Sequence, residues 1–236
     1  PQDISQAALV VSTASSHFPP HAIHVAVVDP GVGTDRRPLL VKTENGYYIG
    51  PDNGIFTYVL AGCGLLTPET PLGGATDPKV TQVPQGCVAY IIDRSEFWCR
   101  PLSNTFHGRD LFAPVAAHLS LGTMPENMGA VTHEINVLPM SLPRTRPDRI
   151  IGKVVYVDRF GNLVTNVRMG SSQTAVNIEV EGHIIPWISS SYQAGQGLLA
   201  IIGSHGYLEI AWWRDSAAQR LGAGVGVTVT VLKDLD

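Results

Sequence analysis

The sequence is poor in cysteine, has no long apolar run and carries no excess of positive charge. Its three cysteines are odd in number and lack C-x-x-C spacing, which argues against both a disulfide framework and a zinc site. No stretch approaches the ~18 consecutive apolar residues that a membrane-spanning helix needs. A net charge of −4, without a cluster of lysine or arginine, gives no electrostatic basis for binding nucleic acid. We therefore expect a protein of the reducing cytoplasm that binds neither membranes nor nucleic acids.

What the chain does contain is typical of a globular protein with a sizeable core. Its 236 residues are 44% hydrophobic, and 24 glycines and 17 prolines provide many tight turns. The segment 139–149 holds three prolines and three arginines without hydrophobic periodicity, so we place a domain boundary there. This predicts a first domain over residues 1–142 and a second over residues 149–236. The chain begins at Pro1 without an initiator methionine or a signal-type segment, and we expect that an upstream strand is missing.

The first domain alternates strand-type and helix-type segments, which favours an α/β fold with a mainly parallel sheet. Asp3 or Ser5 is the expected N-cap of the first helix, and Asn45-Gly46 is the expected turn of a hairpin. Pro114 is compatible with a helix only near its first turn. The predicted elements are a helix at 6–14, a buried strand at 24–28, strands at 39–43 and 47–50, a helix at 53–61, a loop at 67–86, a strand at 87–92 and a helix at 111–121.

The second domain shows only short strand-type runs, separated by turn residues such as Phe160-Gly161-Asn162 and Gly203-Ser204-His205-Gly206. This pattern is typical of a small antiparallel barrel or sandwich. The predicted strands lie at 150–157, 163–167, 175–180, 198–202, 207–211 and 225–232.

The most informative segment of the first domain is Val27-Val-Asp-Pro-Gly-Val-Gly-Thr-Asp-Arg-Arg37, in which a strand-type run ends in a glycine-rich turn. The segment places Asp29 and Arg36 where the strand ends, and His107 lies further along the chain, just before a helix-type run. An aspartate, an arginine and a histidine at the ends of elements are the parts of a site that activates water. An enzyme is therefore the leading interpretation.

Each of these residues also has a purely structural interpretation. Asp29 could cap a turn, Arg36 could be solvated, and His107 could belong to a turn. For Asp110 we expect N-capping of the next helix. Gly31-Val-Gly33 after a strand suggests a dinucleotide-binding loop, but Arg36 stands in place of the third glycine and a strand follows instead of a helix. A nicotinamide-dependent oxidoreductase is therefore the weakest interpretation. No two histidines have the spacing of metal ligands on a helix, so we expect no bound metal.

Polar residues of the second domain lie in the turns between its apolar strands. Asp158 and Asn162 flank Gly161, and a glycine turn would aim both side chains at one spot. An asparagine amide offers a donor and an acceptor side by side, which suits the edge of an adenine. The alternative is an ordinary Asp/Gly/Asn hairpin turn. Ser204 can likewise be interpreted either as a ligand-binding residue or as part of an ordinary glycine turn. Three aromatic residues could either stack on a flat ligand or belong to the core, namely Phe106, Trp212 and Trp213.

Five segments, in this order, resemble the motifs of the S-adenosylmethionine (SAM) hydroxide adenosyltransferases. This family is also called the SAM hydrolases and is related to the fluorinases and chlorinases. The resemblance runs across nearly the whole chain, and five ordered motifs are far more specific than any one of them. The segments are Val28-Asp-Pro-Gly-Val-Gly33, Gly50-Pro-Asp-Asn-Gly54, Thr105-Phe-His-Gly-Arg-Asp110, Asp158-Arg-Phe-Gly-Asn162 and Gly206-Tyr-Leu-Glu-Ile-Ala211.

The resemblance implies a subunit with an α/β N-terminal domain and a β-barrel C-terminal domain. It also implies a homotrimer whose ligand sites lie between neighbouring subunits, and the hydrolysis of SAM to adenosine and methionine without a cofactor. By position, the family's catalytic set falls on Asp29, Arg36 and His107. The family's opening strand, with a Thr-Asp-Phe-Gly-like motif whose acidic residue holds the ribose, is absent from this sequence. The residues implied in substrate binding are Phe106, Asp158, Asn162, Ser204 and, by a looser match, Glu209.

The residue types fit this chemistry. The sulfonium makes C5′ of SAM electrophilic and neutral methionine a good leaving group, so the difficult part is the nucleophile, because water has a pKa near ~15.7. We expect Arg36 to stabilise the developing hydroxide, His107 to receive or relay the proton, and Asp29 to hold the other two. Asp158 would pair with the methionine ammonium, and Asn162 would bind the adenine. Two alternatives stay open: a SAM-dependent halogenase on the same fold, and a non-catalytic adenosine-binding protein.

Overall fold

The computed structural model describes residues 2–65, 77–169 and 176–233 of the chain. These residues form two compact units, the first reaching Met140 and the second beginning at Ser141. The division falls within the proline- and arginine-rich segment 139–149, and each unit has hydrophobic core residues of its own. No helix within the described ranges is long and apolar enough to cross a membrane.

The first unit has one main sheet with helices packed against it. The strands are β1 (Ala22–Val25), β2 (Pro38–Lys42), β3 (Gly46–Pro51), β4 (Lys79–Gln82), β5 (Val88–Ile92), β6 (Gly129–Thr132) and β7 (Glu134–Val137). The helices are α1 (Ile4–Ser15), α2 (Thr57–Ala61), α3 (Ala113–Ser120) and α4 (Pro125–Met128), with a 3₁₀ turn at Ser95–Phe97 and a π-helical turn at Gly108–Phe112. The main sheet has the order β1-β3-β2-β5-β6, and β4 pairs with β7.

The expectation of a mainly parallel sheet is wrong. Among the described strands of the main sheet, only β1 and β3 run parallel, whereas β2 pairs antiparallel with β3 and β5, and β5 with β6. Parallel neighbours need a long crossover connection, usually a helix. In this described stretch no helix separates β1, β2 and β3, and the predicted Asn45-Gly46 turn joins β2 directly to β3.

Other local predictions differ from the structure, because the sequence of a segment does not show which other segment it pairs with or bonds to. The predicted buried strand at 24–28 is the edge strand β1, which ends at Val25, a residue that is 43% exposed. Residues 67–76 of the predicted loop 67–86 lie outside the described residues, and the remainder contains β4, which forms by pairing with β7. The predicted helix at 53–61 begins only at Thr57, because Asn53 bonds within the preceding turn.

The helix-end predictions are largely confirmed. Asp3, and not Ser5, caps α1, since its carboxylate accepts from the N–H of Gln6 at 2.9 Å. Pro114 lies in the first turn of α3, where its missing N–H costs no helical hydrogen bond. The predicted helix at 111–121 therefore consists of the end of the π-helical turn followed by α3.

The side chains of β2 alternate between two layers of core. Leu39 and Val41 pack on one face of the sheet with residues of α1 and α2, while Leu40 packs on the other face with residues of the π-helical turn and α3. All three side chains are fully buried. Since Phe112 is also fully buried in the second layer, the turn that follows His107 is held firmly against the sheet.

The second unit is a single, nearly closed, barrel-like sheet. Among its described strands the pairings are antiparallel, except that Ile188–Ser189 pairs parallel with Leu198–Ile202. The strands are β8 (Arg144–Thr145), β9 (Arg149–Val157), β10 (Leu163–Arg168), β11 (Val176–Val180), β12 (His183–Ile185), β13 (Ile188–Ser189), β14 (Leu198–Ile202), β15 (Tyr207–Trp212) and β16 (Thr228–Lys233). The order is β12-β11-β16-β9-β10-β15-β14-β13, with β8 pairing with β9.

All six strands predicted for this unit are present, although residue 175 lies outside the described residues. Three short strands, β8, β12 and β13, and the helix α5 (Ala217–Leu221) were not predicted, because such short elements carry no clear hydrophobic period. The inward-facing side chains form one apolar cluster, which includes Val154, Leu163, Ile178, Ala200, Leu208 and Val229.

Candidate active site

A tight loop between β1 and β2 folds Arg36 back towards Asp29. The N–H of Val32 donates to the carbonyl oxygen of Asp29 at 3.2 Å, so the chain turns immediately after the aspartate. Gly33 has a φ of +79°, and a Cβ there would lie 2.6 Å from the carbonyl oxygen of Asn104. Only glycine fits this position without strain. The glycine-rich sequence therefore serves to close the loop.

Arg36 and Asp29 form a two-point ion pair. The Nε of Arg36 lies 3.0 Å from Oδ1 and 2.8 Å from Oδ2 of Asp29, and Nη2 contacts the same carboxylate. The side chains are only 10% and 5% exposed, respectively. The guanidinium carbon also lies 5.2 Å from the centre of the Phe112 ring. An arginine held at two points and stacked on an aromatic ring has a fixed direction.

The same guanidinium reaches His107. Arg36 Nη2 lies 2.7 Å from His107 Nδ1. A guanidinium can only donate, so Nδ1 accepts and the neutral imidazole carries its hydrogen on Nε2. Burial lowers the pKa of His107, and so does the positive charge of Arg36, while Asp29 and Asp110 act in the opposite direction. The structure thus places Asp29, Arg36 and His107 in one bonded cluster, and their catalytic roles stay a prediction.

The neighbours of His107 have different surroundings. Phe106 is 55% exposed, and the guanidinium of Arg109 lies 4.8 Å from its ring centre. Asp110 is not an N-cap, because the π-helical turn begins at Gly108 and Asp110 lies inside it. Its buried carboxylate instead accepts from Arg109 and from the N–H of Ser103, and these two bonds lower the pKa of Asp110. The N-cap expectation for Asp110 is therefore wrong.

In the second unit, Asp158 and Asn162 are joined across a turn. Asp158 Oδ1 accepts from the N–H groups of Phe160 and Asn162 at 2.8 and 2.9 Å. Asp158 Oδ2 accepts from the side-chain amide of Asn162 at 2.8 Å. Gly161 has a φ of +82°, and a Cβ there would lie 2.0 Å from Ser216 Oγ. The turn interpretation is thus confirmed, because these bonds hold the two side chains together. Within the described residues Asn162 Oδ1 keeps its accepting capacity, and a role of the two side chains in substrate binding stays a prediction.

This turn borders a cavity of about 660 Å³ within the second unit. Aromatic rings make up much of its wall, with a few polar side chains among them. Such a cavity suits a flat ligand with a small number of hydrogen-bonding groups. It is lined by Asp158, Phe160, Asn162, Tyr192, Trp212, Trp213, Arg214, Asp215 and Ser216.

Ser204 and Glu209 are not among the residues that line this cavity. Ser204 is exposed in the turn between β14 and β15. Glu209 is buried, accepts from the hydroxyl of Tyr192 at 2.7 Å and lies 2.9 Å from His205 Nε2. Burial raises the pKa of Tyr192, and its bond to Glu209 raises it further. Glu209 therefore reaches the cavity only through Tyr192, and substrate contacts by Ser204 and Glu209 stay predictions.

Several lining residues were missed by sequence reasoning. Tyr192 lies in a 3₁₀ turn, and Arg214 to Ser216 follow the end of β15. The sequence indicated this aromatic wall of the cavity through the adjacent Trp212 and Trp213, which could stack on a flat ligand. Among the described residues there is no group of three or more histidine, cysteine, aspartate or glutamate side chains that could hold a metal ion.

Comparison with family models assigns both parts of the chain. The model of the SAM hydroxide adenosyltransferase N-terminal domain matches residues 1–129, and that of the C-terminal domain matches residues 152–230. This chain belongs to the SAM hydroxide adenosyltransferase family.

Individual relatives agree with the family assignment. The chain is 36% identical to an (R)-S-adenosyl-L-methionine hydrolase of Thermus thermophilus, over 98% of this chain and 84% of the relative. A crystal structure of an uncharacterized conserved protein from Thermotoga maritima superposes with a TM-score of 0.79 at 30% identity, covering 99% of this chain and 85% of the other. A fluorinase of an Actinoplanes species is more distant, at 22% identity over 99% of this chain and 84% of the fluorinase.

Proposed function

We propose that this family member hydrolyses S-adenosyl-L-methionine to adenosine and L-methionine. The observation that carries the proposal is the bonded cluster in which Arg36 contacts both Asp29 and His107. The name of the Thermus relative supports the same reaction. That name also specifies the (R) sulfonium, and we extend this preference to the present chain.

The reaction is a displacement at C5′. Water oxygen forms a bond to C5′ while the bond between C5′ and the sulfonium breaks, and its electron pair stays on sulfur as neutral methionine leaves. The proton released by water must be taken up, and negative charge develops on the attacking oxygen. A fixed guanidinium is suited to stabilising that charge, because it need not reorganise during the reaction. Arg36 is the residue in that position, and Asp29 keeps it in place.

His107 is the proton acceptor in this scheme. Its lowered pKa keeps the imidazole neutral near pH 7, as a base requires. In the present arrangement its Nδ1 lone pair is directed at Arg36. Proton uptake at Nδ1 therefore requires that a water molecule take the place of Arg36 Nη2, or that the proton be relayed to it through water.

The cavity of the second unit is assigned to the substrate. Asp158 has the charge to pair with the methionine ammonium, and Asn162 Oδ1 can accept from the adenine amino group. The tryptophan pair offers faces on which adenine can stack. We also assign Phe106, Ser204 and Glu209 to substrate binding on the family resemblance.

Isotope labelling tests the reaction directly. In ¹⁸O-labelled water we expect the label in the 5′-hydroxyl of the product adenosine, with faster release of methionine from the (R) than from the (S) sulfonium. The halogenase alternative predicts a 5′-halo-5′-deoxyadenosine when chloride or fluoride is added. A halide needs no proton acceptor but must shed its hydration shell, and the charged groups around Arg36 would oppose that. A halogenated main product would refute the hydrolase assignment, and binding of adenosine without any turnover of SAM would favour the non-catalytic alternative.

We further propose a cytoplasmic homotrimer in which each active site combines residues from two subunits. The free cysteines of the described chain fit a reducing compartment. Mixing Arg36→Ala, which should lose rate, with Asp158→Ala, which should lose affinity, tests the shared site at a SAM concentration too low for either variant to turn over alone. Random trimers should regain about a quarter of the wild-type activity, because some sites receive both intact halves. Sites built within one subunit would regain nothing.

A further inference from the structure

The segment 50–54 (Gly-Pro-Asp-Asn-Gly), which no step of the proposed reaction uses, holds the start of the loop that carries the catalytic aspartate. Asn53 Nδ2 donates a hydrogen bond of 2.9 Å to the carbonyl oxygen of Val28, directly before Asp29. Asn53 Oδ1 accepts from the N–H of Ile55 at 3.2 Å, which orients the amide. The bond to Val28 therefore comes from a side chain whose own position is fixed.

Asp52 holds the other end of the same loop. Its N–H donates to the carbonyl oxygen of Arg37 at 2.9 Å, and its carboxylate accepts from Arg37 Nε at 2.8 Å. The carboxylate is 0% exposed and also accepts from the backbone and side-chain N–H groups of Asn136 at 2.8 and 3.1 Å. A buried carboxylate is tolerated only when it is paired and hydrogen-bonded in this way. Since Arg37 directly follows Arg36, the backbone of Arg36 is fixed from this side.

The two consecutive arginines thus have separate carboxylates. Arg36 pairs with Asp29, whereas Arg37 pairs with Asp52 and donates to the carbonyl oxygen of Glu134 at 3.1 Å. With Arg37 engaged in this way, Arg36 is the guanidinium left to complete the catalytic cluster. Neighbouring side chains share one backbone, so the direction of Arg36 depends on the pairing of Arg37.

We propose that Asp52 and Asn53 are positioning residues that clamp both ends of the loop 29–36 and so hold Asp29 and Arg36 in reach of His107. Neither residue needs to touch the substrate. A displacement of ~1 Å in a catalytic group can cost about a hundredfold in rate, so support of this kind is part of a site's efficiency. The kinetic part of the proposal rests on the proposed function, and the structural part does not.

Two variants test the clamp through the reaction. Asn53→Ala removes the donor to Val28 without changing any charge, and Asp52→Asn keeps the shape of the side chain but removes its charge. We expect kcat for SAM hydrolysis to fall about tenfold to a hundredfold in each. KM should change less than about twofold, because no substrate contact is lost.

A second readout is independent of turnover. NMR titration of the His107 imidazole measures whether Arg36 is still in place, because Arg36 lowers the pKa of His107. If the clamp is released, that pKa should rise towards its ordinary value. Asp52→Asn is especially informative. The loss of a negative charge would by itself lower the pKa of His107. A rise would therefore report a rearranged site, in which Arg36 is displaced or the imidazole is less buried, as release of the loop predicts.

Thr43→Ala provides the matched control. Thr43 is buried in the β2–β3 hairpin, where its hydroxyl bonds to the backbone of Asn45 and Gly46, away from the clamped loop. It should lower Tm while kcat per folded molecule and the pKa of His107 stay at wild-type values.

The outcomes separate the two proposals. If Asn53→Ala and Asp52→Asn behave like the control, the clamp proposal is wrong while the proposed function stands. If the wild type does not hydrolyse SAM, the function fails, and the pKa of His107 still decides whether the clamp exists. If Asp52→Asn does not fold, Asn53→Ala decides alone, since it leaves no buried charge unpaired.

Discussion

The first unit brings charged side chains together, whereas the second arranges aromatic side chains around a cavity. In the first, the donors of Arg36 are directed at Asp29 and His107, and the Arg36 and Asp29 side chains are largely buried. In the second, Asp158 and Asn162 are tied to each other at the border of an aromatic wall. A buried set of charges contributes little net stability, and the bond between Arg36 and His107 suits a reaction in which charge and a proton move. An aromatic cavity instead provides affinity for a flat ligand.

This contrast predicts that variants of the charged cluster change the rate, while variants of the cavity change affinity. The largest effect is expected from Arg36→Ala or His107→Ala. Each should lower kcat by roughly 10²–10⁴, the range for loss of a positioned acid–base or charge-stabilising group. Adenosine affinity, measured by calorimetry, should change little.

Arg94→Ala is the matched control, because the side chain of this arginine is exposed and lies 3.6 Å from Asp93, a long ion pair. It should retain full activity. Normal turnover in the His107→Ala variant, or an equal loss in the Arg94→Ala variant, would contradict the assignment of the reaction to the charged cluster.

Asn162→Ala probes the second unit and should weaken adenosine binding by about 1–3 kcal/mol, the cost of leaving a buried polar partner unpaired. The side-chain bond to Asp158 is lost as well, so part of the effect comes from a looser turn. At saturating SAM, kcat should stay close to that of the wild type. Asn177→Ala, on β11, serves as control, and an unchanged adenosine affinity in Asn162→Ala would remove Asn162 from the site.

A smaller effect is expected in the pH dependence of kcat/KM and of stability. Burial and Arg36 lower the pKa of His107 below 6.5, so the acid limb of kcat/KM should lie below that value. Because the folded state releases this proton more readily than the unfolded chain, the linked stability is present above pH 6.5 and is lost as the pH falls towards the lowered pKa. His107→Gln should flatten the stability profile in that window. An acid limb above 6.5 would mean that a different group is titrating.

The sequence predicted the parts of the charged cluster better than the sheet that carries them. Asp29, Arg36 and His107 could be found because each stands at the end of an apolar run, where buried elements deliver polar side chains. Whether β1, β2 and β3 pair parallel or antiparallel depends on the connections between them. The tight Asn45-Gly46 turn predicts an antiparallel hairpin, and it was a better guide to this sheet than the alternation of helix-type and strand-type segments.

The cavity was only partly predictable for a related reason. Asp158 and Asn162 share one local turn, so their spacing in the sequence indicated that their side chains lie close together. Tyr192 lies far from them in sequence and reaches the cavity through a short 3₁₀ turn, which has no periodic signal. Its bond to Glu209 depends on the fold of the whole unit, and no local pattern encodes such a contact.

The smallest expected effect comes from Phe160→Ala, and it tests the aromatic wall without disturbing the fold. Phe160 is 80% exposed, and the turn uses only its N–H, which donates to Asp158. Truncation should therefore leave Tm unchanged and weaken adenosine by about 0.5–1.5 kcal/mol, the contribution of one aromatic pair. Phe18→Ala, an exposed aromatic of the first unit, is the control and should leave binding unchanged. Because hydrolysis itself should be unaffected at saturating SAM, a fall in kcat as large as that of Arg36→Ala would show that the two regions do not divide rate and affinity between them.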